Sequence, residues 1–317
     1  MSSVSSPEIF LGVDGGQSST KALIGDHTGR ILGAGTAGPC NHVDSAAEGR
    51  QKLARVVREC VDAALRQARL PTDTVFEAAC FGMSGGPDDK EQVLAATTPA
   101  RRLLVTHDAA IALAGGTAGE PGIIVIAGTG SMAYGRNHAG REMRAGGWGF
   151  IFGDEGSAFD IVRQALRAIL RQEEGGGAPT ALTPNLLQAA ASTTANQMLH
   201  RFYTAEWPRH RIARLAPLVD QAAQQGDAIA QQVLEQAAQS LAGLALTVCS
   251  GLFPDAETVP LCWIGGVFQS QAVLQRFQQL CQSRMQVSPP LYDPAAGALL
   301  SAYRIAGINL KPLGFPR

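Results

Sequence analysis

The chain has 317 residues, of which 45% are hydrophobic and 17% charged, and 26 Lys and Arg against 27 Asp and Glu leave a formal net charge of -1. At ~100–200 residues per domain, this length predicts two domains, each large enough to bury its own core. The charge balance disfavours a basic nucleic-acid surface, a polybasic membrane surface and an acidic tail. We therefore expect no nucleic-acid partner and no membrane association.

Neither an export signal nor a membrane span is predicted. Residues 1–7 lack a positively charged segment followed by an apolar run, and the longest uncharged apolar stretch, 240–254, is shorter than the ~20 residues that cross a bilayer. The six cysteines occur singly, without C-x-x-C or zinc spacing. They predict free thiols in a reducing cytoplasm, where we expect the protein to be located.

In chain order, the first half predicts an antiparallel three-stranded meander followed by alternating helices and strands. The predicted strands are 9–14, 20–24, 30–34, 75–81 and 101–106. Helices are predicted around Leu53 to Ala64, over 88–97 and over 108–114. The segment 115–121 is the predicted boundary, which gives domains 7–116 and 117–317.

The second half predicts the same layout. Its meander strands are 123–127, 132–136 and 141–147, followed by Ala- and Gln-rich helices, a strand at 259–265, a helix at 271–281, a strand at 286–288 and a last helix at 294–305. At an offset of 114 residues five pairs are identical, namely Ile9/Ile123, Gly16/Gly130, Arg30/Arg144, Gly33/Gly147 and Gly35/Gly149. A duplicated βββαβαβ unit is the better interpretation, with ligand bound in a cleft between the two copies.

Each meander has a glycine turn after its first strand. Around Gly15 and Gly16 the spacing fails the Walker pattern, because Gly16 and Lys21 are not adjacent. Two interpretations of this turn are possible, a plain hairpin and a phosphate-binding hairpin. In a phosphate-binding hairpin, backbone N–H groups and the Ser18 hydroxyl face an anion, and Asp14 holds Mg²⁺ through water.

The matching turn, Gly128-Thr129-Gly130, also satisfies G-x-G-x-x-A with Ala133, which raises a dinucleotide-binding oxidoreductase as an alternative. That fingerprint requires a helix after the turn. The glycines of 135–147 interrupt any helical pattern, so a second phosphate hairpin fits better.

Further candidate residues follow predicted strands. Asp108 begins a helix at a strand end, where it could cap the helix or accept a proton from a substrate hydroxyl. The glycine-rich stretch 145–156 places Trp148 and Asp154 where a sugar could bind, although both could also be structural. Gly265 and Gly266 follow a strand and could approach a nucleoside, or form an ordinary turn.

Taken in order, these motifs resemble the N-acetylglucosamine kinase group of the BadF/BadG/BcrA/BcrD ATPases, within the actin, hexokinase and heat-shock ATPase superfamily. The resemblance spans Gly12 to the last helix. The motifs that carry it are Gly12-Val-Asp-Gly-Gly16, Gly82-Met-Ser-Gly-Gly86, Asp108-Ala-Ala110, Gly128-Thr-Gly-Ser131, Gly146-Gly-Trp-Gly149, Gly153-Asp-Glu-Gly-Ser157 and Gly265-Gly266.

The resemblance implies an α/β fold of two tandem ribonuclease H-like, actin-like ATPase domains, each with a mixed five-stranded sheet. The last helix could belong to the second domain or pack back on the first. The implied activity is ATP- and Mg²⁺-dependent phosphorylation of N-acetylglucosamine or glucosamine at the C6 hydroxyl, by a cytoplasmic homodimer.

The resemblance also implies residue roles. Asp108 would be the catalytic base and Asp14 the water-mediated Mg²⁺ residue. The implied ATP and phosphate residues are Gly15, Gly16, Ser18, Lys21, Gly128, Thr129, Gly130, Gly265 and Gly266. The implied sugar residues are Asn41, Ser84, Gly147, Trp148 and Asp154.

Two departures and three alternatives accompany this interpretation. Gln17-Ser18 replaces the Gly-Thr of many members, and Met132 replaces an Asn of the eukaryotic enzymes. Met132 leaves the choice among N-acetylglucosamine, glucosamine and N-acetylmuramic acid open. The alternatives are an N-acetylmuramic acid kinase, a non-catalytic sugar sensor and an iron–sulfur electron activator; the activator is disfavoured because residues 122–240 contain no cysteine.

Overall fold

The computed structural model describes residues 8–16, 19–40, 46–85, 90–253 and 258–310. Contacts divide the chain into two compact units. The first contains the described residues up to Pro121 together with those from Pro290 onward, and the second is Gly122–Pro289 without its undescribed residues.

Each unit is an α/β arrangement around one sheet. Up to Pro121 the elements are β1 (Ile9–Gly15), β2 (Thr20–Asp26), β3 (Ile31–Ala37), α1 (Ala46–Ala68), β4 (Ala78–Met83), α2 (Glu91–Thr97), β5 (Leu103–His107) and α3 (Asp108–Gly116). From Gly122 they are β6 (Gly122–Ala127), β7 (Ser131–Arg136), β8 (Glu142–Gly146), α4 (Ala158–Glu173), α5 (Leu182–Ala189), α6 (Ala195–Phe202), α7 (Arg209–Ala213), α8 (Ala216–Gln224), α9 (Ala228–Leu252), β9 (Val259–Ile264), a short 3-10 helix (Gly266–Gln269), α10 (Gln271–Cys281), β10 (Met285–Ser288) and α11 (Pro294–Ile305).

The two sheets share one topology, as the predicted duplication requires. The strand orders are β3-β2-β1-β4-β5 and β8-β7-β6-β9-β10, each with an antiparallel meander followed by two parallel strands. This confirms the predicted α/β fold with two mixed five-stranded sheets. The predicted strand at 75–81 lies at 78–83, and the last helix occupies the predicted residues 294–305.

The structural repeat does not follow the offset of 114 residues. In the first hairpin Gly15 pairs with Thr20, whereas in the second Ala127 pairs with Ser131, so the strand ends before the two turns differ by 112 positions. Gly16 therefore corresponds to Gly128 rather than to Gly130. The second hairpin has one residue fewer in its turn, and a fixed offset cannot follow that change.

Helix α11 is part of the first unit, because it packs directly on the backbone of β1 and α3. A Cβ added to Gly12 would lie 2.2 Å from the backbone nitrogen of Leu299, and one added to Gly297 would lie 1.9 Å from the carbonyl oxygen of Ile111. Both positions require glycine for this approach. Tyr303 is fully buried on the same face, where its hydroxyl donates to the carbonyl oxygen of Asp26 at 2.8 Å.

The sequence also predicts the state of the cysteines and the absence of a membrane span. All six cysteines are described; they are free thiols and all are buried. In the described parts of the chain, no helix has the length and apolar character needed to span a bilayer.

The close approach of α11 to β1 makes Gly12→Ala destabilising by about 1–3 kcal/mol, because the added methyl group has to displace helix backbone. Thermal and urea unfolding measure this loss. Gly243→Ala is the matched control, since Gly243 lies in α9 with open space around it and alanine there should stabilise by up to about 1 kcal/mol. Equal stability of Gly12→Ala and the wild type would contradict the packing described.

Candidate functional site

The carboxyl ends of three parallel strands bring the candidate acids of the first unit together. Asp14 near the end of β1 pairs in register with Gly82 of β4, and Gly82 pairs with Thr106 of β5. Ser84 and Asp108 follow the ends of β4 and β5 directly. In open α/β sheets this edge is where ligands bind.

His107, rather than Asp108, caps helix α3. The His107 Nδ1 accepts a hydrogen bond from the backbone N–H of Ala110 at 3.2 Å, and Asp108 is the first helical residue. The Asp108 carboxylate accepts the N–H of Ala109 at 2.9 Å and the hydroxyl of Ser84. The capping function therefore belongs to the neighbouring residue, which leaves Asp108 with oxygen lone pairs for other chemistry.

Burial raises the pKa of Asp108 above its ordinary value, although the Ala109 N–H, His107 and the Ser84 hydroxyl each oppose the shift. A carboxylate poised in this way is a better proton acceptor than one in water. The structure thus gives Asp108 an environment that suits a general base.

Asp14 lies in a cluster of three carboxylates. Burial, then the charges of Asp108 and Asp293, raise the pKa of Asp14 to about 6, against the lowering effect of Lys21. Lys21 Nζ lies 3.8 Å from Asp293 Oδ2, and Asp293 also caps α11 by accepting the Ala296 N–H at 2.8 Å. Lys21 thus offsets only part of the negative charge of Asp14 and Asp293, so the edge of the sheet favours added positive charge.

In the second unit, the turn 128–130 leaves backbone donors available. The Gly128 N–H donates to the Gly130 carbonyl at 2.9 Å, but no described residue accepts from the N–H groups of Thr129 and Gly130. The turn is tied to the following loops, since Gly147 N–H donates to the Ser131 carbonyl at 3.0 Å and Ala158 N–H to the Gly128 carbonyl at 2.9 Å. Two free N–H groups in a glycine turn suit an anion.

Asp154 lies beneath this turn and not on the surface. Its carboxylate is buried, accepts the Ser131 N–H at 3.4 Å and forms an ion pair with Arg209. Arg209 also donates to the Thr129 carbonyl at 2.9 Å. Sequence analysis missed Arg209, because nothing in its surroundings indicates a contact with a turn 80 residues earlier.

The remaining candidates of the second unit are Trp148, Gly265 and Gly266. Trp148 is 66% exposed and stacks with the Arg144 guanidinium 4.5 Å from its ring centroid. Gly265 has φ +113°, and a Cβ there would lie 2.2 Å from the Ala127 carbonyl oxygen, whereas Gly266 has open space around it. The backbone conformation and the close contact with Ala127 therefore require glycine at position 265, whereas Gly266 is the more open position for a ligand.

Two candidates, Ser18 and Asn41, fall outside the described residues. The others divide between the units. Asp14, Gly15, Gly16, Lys21, Ser84 and Asp108 meet at one sheet edge, and Gly128, Thr129, Gly130, Gly147, Trp148, Asp154, Gly265 and Gly266 belong to the second unit.

Comparison with known families gives a match over almost the whole chain. The model of the BadF/BadG/BcrA/BcrD ATPase family matches residues 11–302. The chain belongs to this family. The predicted family resemblance is thereby confirmed.

Individual relatives agree with the family assignment. The N-acetylmuramic acid/N-acetylglucosamine kinase of Clostridium acetobutylicum is 32% identical over 301 residues, which cover 92% of this chain and 97% of that protein. The N-acetyl-D-glucosamine kinase of Dictyostelium discoideum is 30% identical over 321 residues, with 94% and 98% covered. A solved structure from Chromobacterium violaceum, provisionally named an N-acetylglucosamine kinase, has a TM-score of 0.75 at 28% identity and covers 93% of this chain and 98% of its own.

The charge cluster of this family member predicts a pH-dependent stability in metal-free buffer. Because the folded pKa of Asp14, about 6, exceeds its ordinary 3.8, the folded state binds more protons than the unfolded state between these values. Stability contributed by Asp14 is therefore lost as pH rises through 4–6. Asp14→Asn removes this effect. Between pH 4 and 7 the free energy of unfolding of the variant should therefore rise relative to that of the wild type by up to about 3 kcal/mol.

Thermal unfolding at several pH values in EDTA measures this gain. Asp227→Asn is the control of opposite sign, because hydrogen bonds from Ala230, Ala181 and Thr180 lower the pKa of Asp227 and its stabilisation is lost as pH falls. A constant difference between Asp14→Asn and the wild type across this range would contradict the charge cluster.

Proposed function

We propose that this protein is an ATP-dependent amino-sugar kinase that phosphorylates N-acetylglucosamine, or a close amino sugar, at the C6 hydroxyl. The observation that carries the proposal is the position of Asp108: partly buried at a strand end, relieved of capping by His107, bonded to Ser84 and within the electrostatic reach of Asp14. The family of ATPases and the two curated relatives named as amino-sugar kinases support it.

The residues of the first unit fit a Mg²⁺ ion held mainly by water and phosphate. Asp108 and Asp293 both repel the Asp14 carboxylate, and a divalent cation would relieve that repulsion. No group of three or more metal-ligating side chains that could hold a metal occurs within the described residues. Mg²⁺ commonly takes one or two carboxylates, with water and substrate phosphates completing its octahedron. Asp14 is accordingly the residue proposed to hold it through water.

The phosphates of ATP are proposed to bind the two glycine turns. Thr129 and Gly130 would offer the free N–H groups described above, with Gly128 forming the start of that turn, and the first turn would add Gly15, Gly16, Ser18 and Lys21. Gly265 and Gly266 are proposed to face the nucleoside. Bound Mg·ATP supplies the transferable phosphoryl group and neutralises its charge.

The chain itself would position and deprotonate the acceptor hydroxyl. The oxygen of the sugar hydroxyl would bond to the γ-phosphorus of ATP while the bond from that phosphorus to ADP breaks. Asp108 would accept the proton that this hydroxyl loses. Ser84 donates to Asp108 and would hold the carboxylate in place. Ser84, Asn41, Gly147 and Trp148 are proposed to contact the sugar, and the exposed Trp148 ring offers an apolar face for it.

ADP release with Mg·ATP and a panel of sugars tests the proposed function. N-acetylglucosamine, glucosamine, N-acetylmuramic acid and glucose form the panel, and we expect strong stimulation by at least one amino sugar and little by glucose. N-acetylmuramic acid is included because the Clostridium acetobutylicum relative carries its name. No stimulation by any amino sugar, in protein that binds ATP, would reject the kinase and favour a sugar sensor.

Asp108→Asn should lower turnover by ~10²–10⁴-fold, because the amide cannot accept the proton. Its affinity for a non-hydrolysable ATP analogue should stay close to the wild type, and its thermal midpoint should be no lower than that of the wild type, because the amide removes a partly buried charge beside Asp14. Asp73→Asn, an exposed aspartate of the same unit, is the control and should keep full turnover. Turnover of folded Asp108→Asn within a few-fold of the wild type would exclude Asp108 as the base.

A further inference from the structure

Arg209 connects two segments that are distant in sequence. It begins α7 and lies 80 residues from Thr129 and 55 from Asp154, yet one terminal nitrogen of its guanidinium, Nη2, donates to the Thr129 carbonyl at 2.9 Å and pairs with Asp154 Oδ2. The other carboxylate oxygen, Asp154 Oδ1, accepts the N–H of Ser131 at 3.4 Å. These contacts form a closed ring around Gly130, from Thr129 through Arg209 and Asp154 to Ser131.

The interior of this ring has no room for a side chain. A Cβ on Gly130 would lie 2.7 Å from Arg209 Nη2 and 2.9 Å from Asp154 Oδ2. Only glycine allows the carboxylate and the guanidinium to approach the turn this closely. The requirement for glycine at position 130 is thus explained by the ion pair behind it.

The surroundings strengthen the ion pair. The Arg209 guanidinium carbon lies 5.3 Å from the Phe150 ring centroid and 5.8 Å from that of Phe159, and the Asp154 side chain is 6% exposed. A charge pair covered by aromatic rings is screened less by water than one on the surface. The pair is therefore suited to hold a fixed geometry.

Asp154 pays a conformational cost at this position. Its φ of +61° is in the left-handed region, which residues other than glycine rarely adopt. Such a conformation persists where the surrounding contacts hold it, and it is frequent at functional sites. Here the contacts with Ser131 and Arg209 supply that restraint.

We propose that Arg209 and Asp154 form a clamp that positions the Gly128–Ser131 turn for the phosphates of ATP. Arg209 is a positioning residue in this account, and Asp154 holds the nucleotide turn in addition to the sugar contact that the family resemblance implies. By fixing the Thr129 carbonyl, the clamp holds the adjoining N–H groups of Thr129 and Gly130 in one arrangement. The inference rests on the proposed function for the identity of the bound phosphate.

Four variants and one control test the clamp by steady-state kinetics and by calorimetric titration with a non-hydrolysable Mg·ATP analogue. Arg209→Ala and Asp154→Asn should raise the KM for ATP and the analogue Kd by about tenfold, and in Arg209→Ala the KM for the sugar should change less than twofold. Arg209→Lys should recover part of this loss, because it keeps the charge and loses the planar fork. Gly130→Ala should give the same pattern without removing any charge.

Arg163→Ala is the matched control. Arg163 forms an ion pair with Asp160 at 2.6 Å on α4, and its side chain is 28% exposed against 26% for Arg209. Its hydrogen bonds go to Asp160 and to the Phe150 carbonyl, and not to the 128–130 turn. The Arg163→Ala variant should be less stable than the wild type. Its KM for ATP and its analogue Kd should stay within twofold of the wild-type values. A general loss of structure would affect Arg163→Ala and Arg209→Ala alike, which would overturn the proposal.

The outcomes separate the clamp from the kinase assignment. A selective rise in the KM for the sugar in Arg209→Ala would overturn the clamp, because Arg209 would then serve the sugar site. If the wild type phosphorylates no sugar but binds the ATP analogue, the kinase assignment fails, and the clamp is still supported by weaker analogue binding in Arg209→Ala. Unchanged analogue binding in Arg209→Ala and Gly130→Ala would overturn the clamp by itself.

Discussion

The chemistry of the first unit depends on electrostatic repulsion among carboxylates that the backbone holds close together. Asp14 near the end of β1 and Asp108 directly after β5 lie on parallel strands joined through β4, so the sheet fixes their separation. Neither can move away without disrupting the sheet, and partial burial makes their charges costly. A site of this kind gains most when a cation and a proton-bearing substrate bind, because each relieves a charge that the fold imposes.

The last helix contributes to this carboxylate cluster although it begins only at Pro294, whereas β1 ends at Gly15. Asp293 caps α11 and adds a third carboxylate, and the glycine contacts at Gly12 and Gly297 place the start of that helix beside β1. Packing and electrostatics are thus coupled, since the contact that completes the core also sets the charge near Asp14. The same helix positions Lys21 through the ion pair with Asp293.

The duplicated sheet has been adapted differently in the two units. The first places carboxylates near the end of β1 and directly after β5, whereas the second has a shorter turn after β6, backed by an internal ion pair between Asp154 and Arg209. In the first unit the charged groups lie directly at the carboxyl ends of the parallel strands. In the second, the charged pair lies behind the turn and the backbone N–H groups remain available.

Much of the fold could be predicted, because the strands carry strong apolar patterns and α10 and α11 are bounded by clear signals. Ser270 and Asp293 cap these two helices, which explains their accurate limits. The equivalence of Gly16 and Gly128 could not be predicted, since a one-residue change in turn length is invisible to a fixed offset. His107 as the cap of α3 and Arg209 as the partner of Asp154 also required coordinates, because both depend on side-chain directions or long-range contacts that local sequence does not encode.

The position of the phosphate on the product tests the central assignment most directly. After reaction with Mg·ATP and N-acetylglucosamine, a two-dimensional phosphorus–proton NMR spectrum of the product should correlate the phosphorus with the two protons on C6. That result would establish transfer to the primary hydroxyl. A correlation with a proton on a ring carbon would contradict the proposed acceptor, and formation of ADP and inorganic phosphate without any sugar phosphate would contradict the kinase itself.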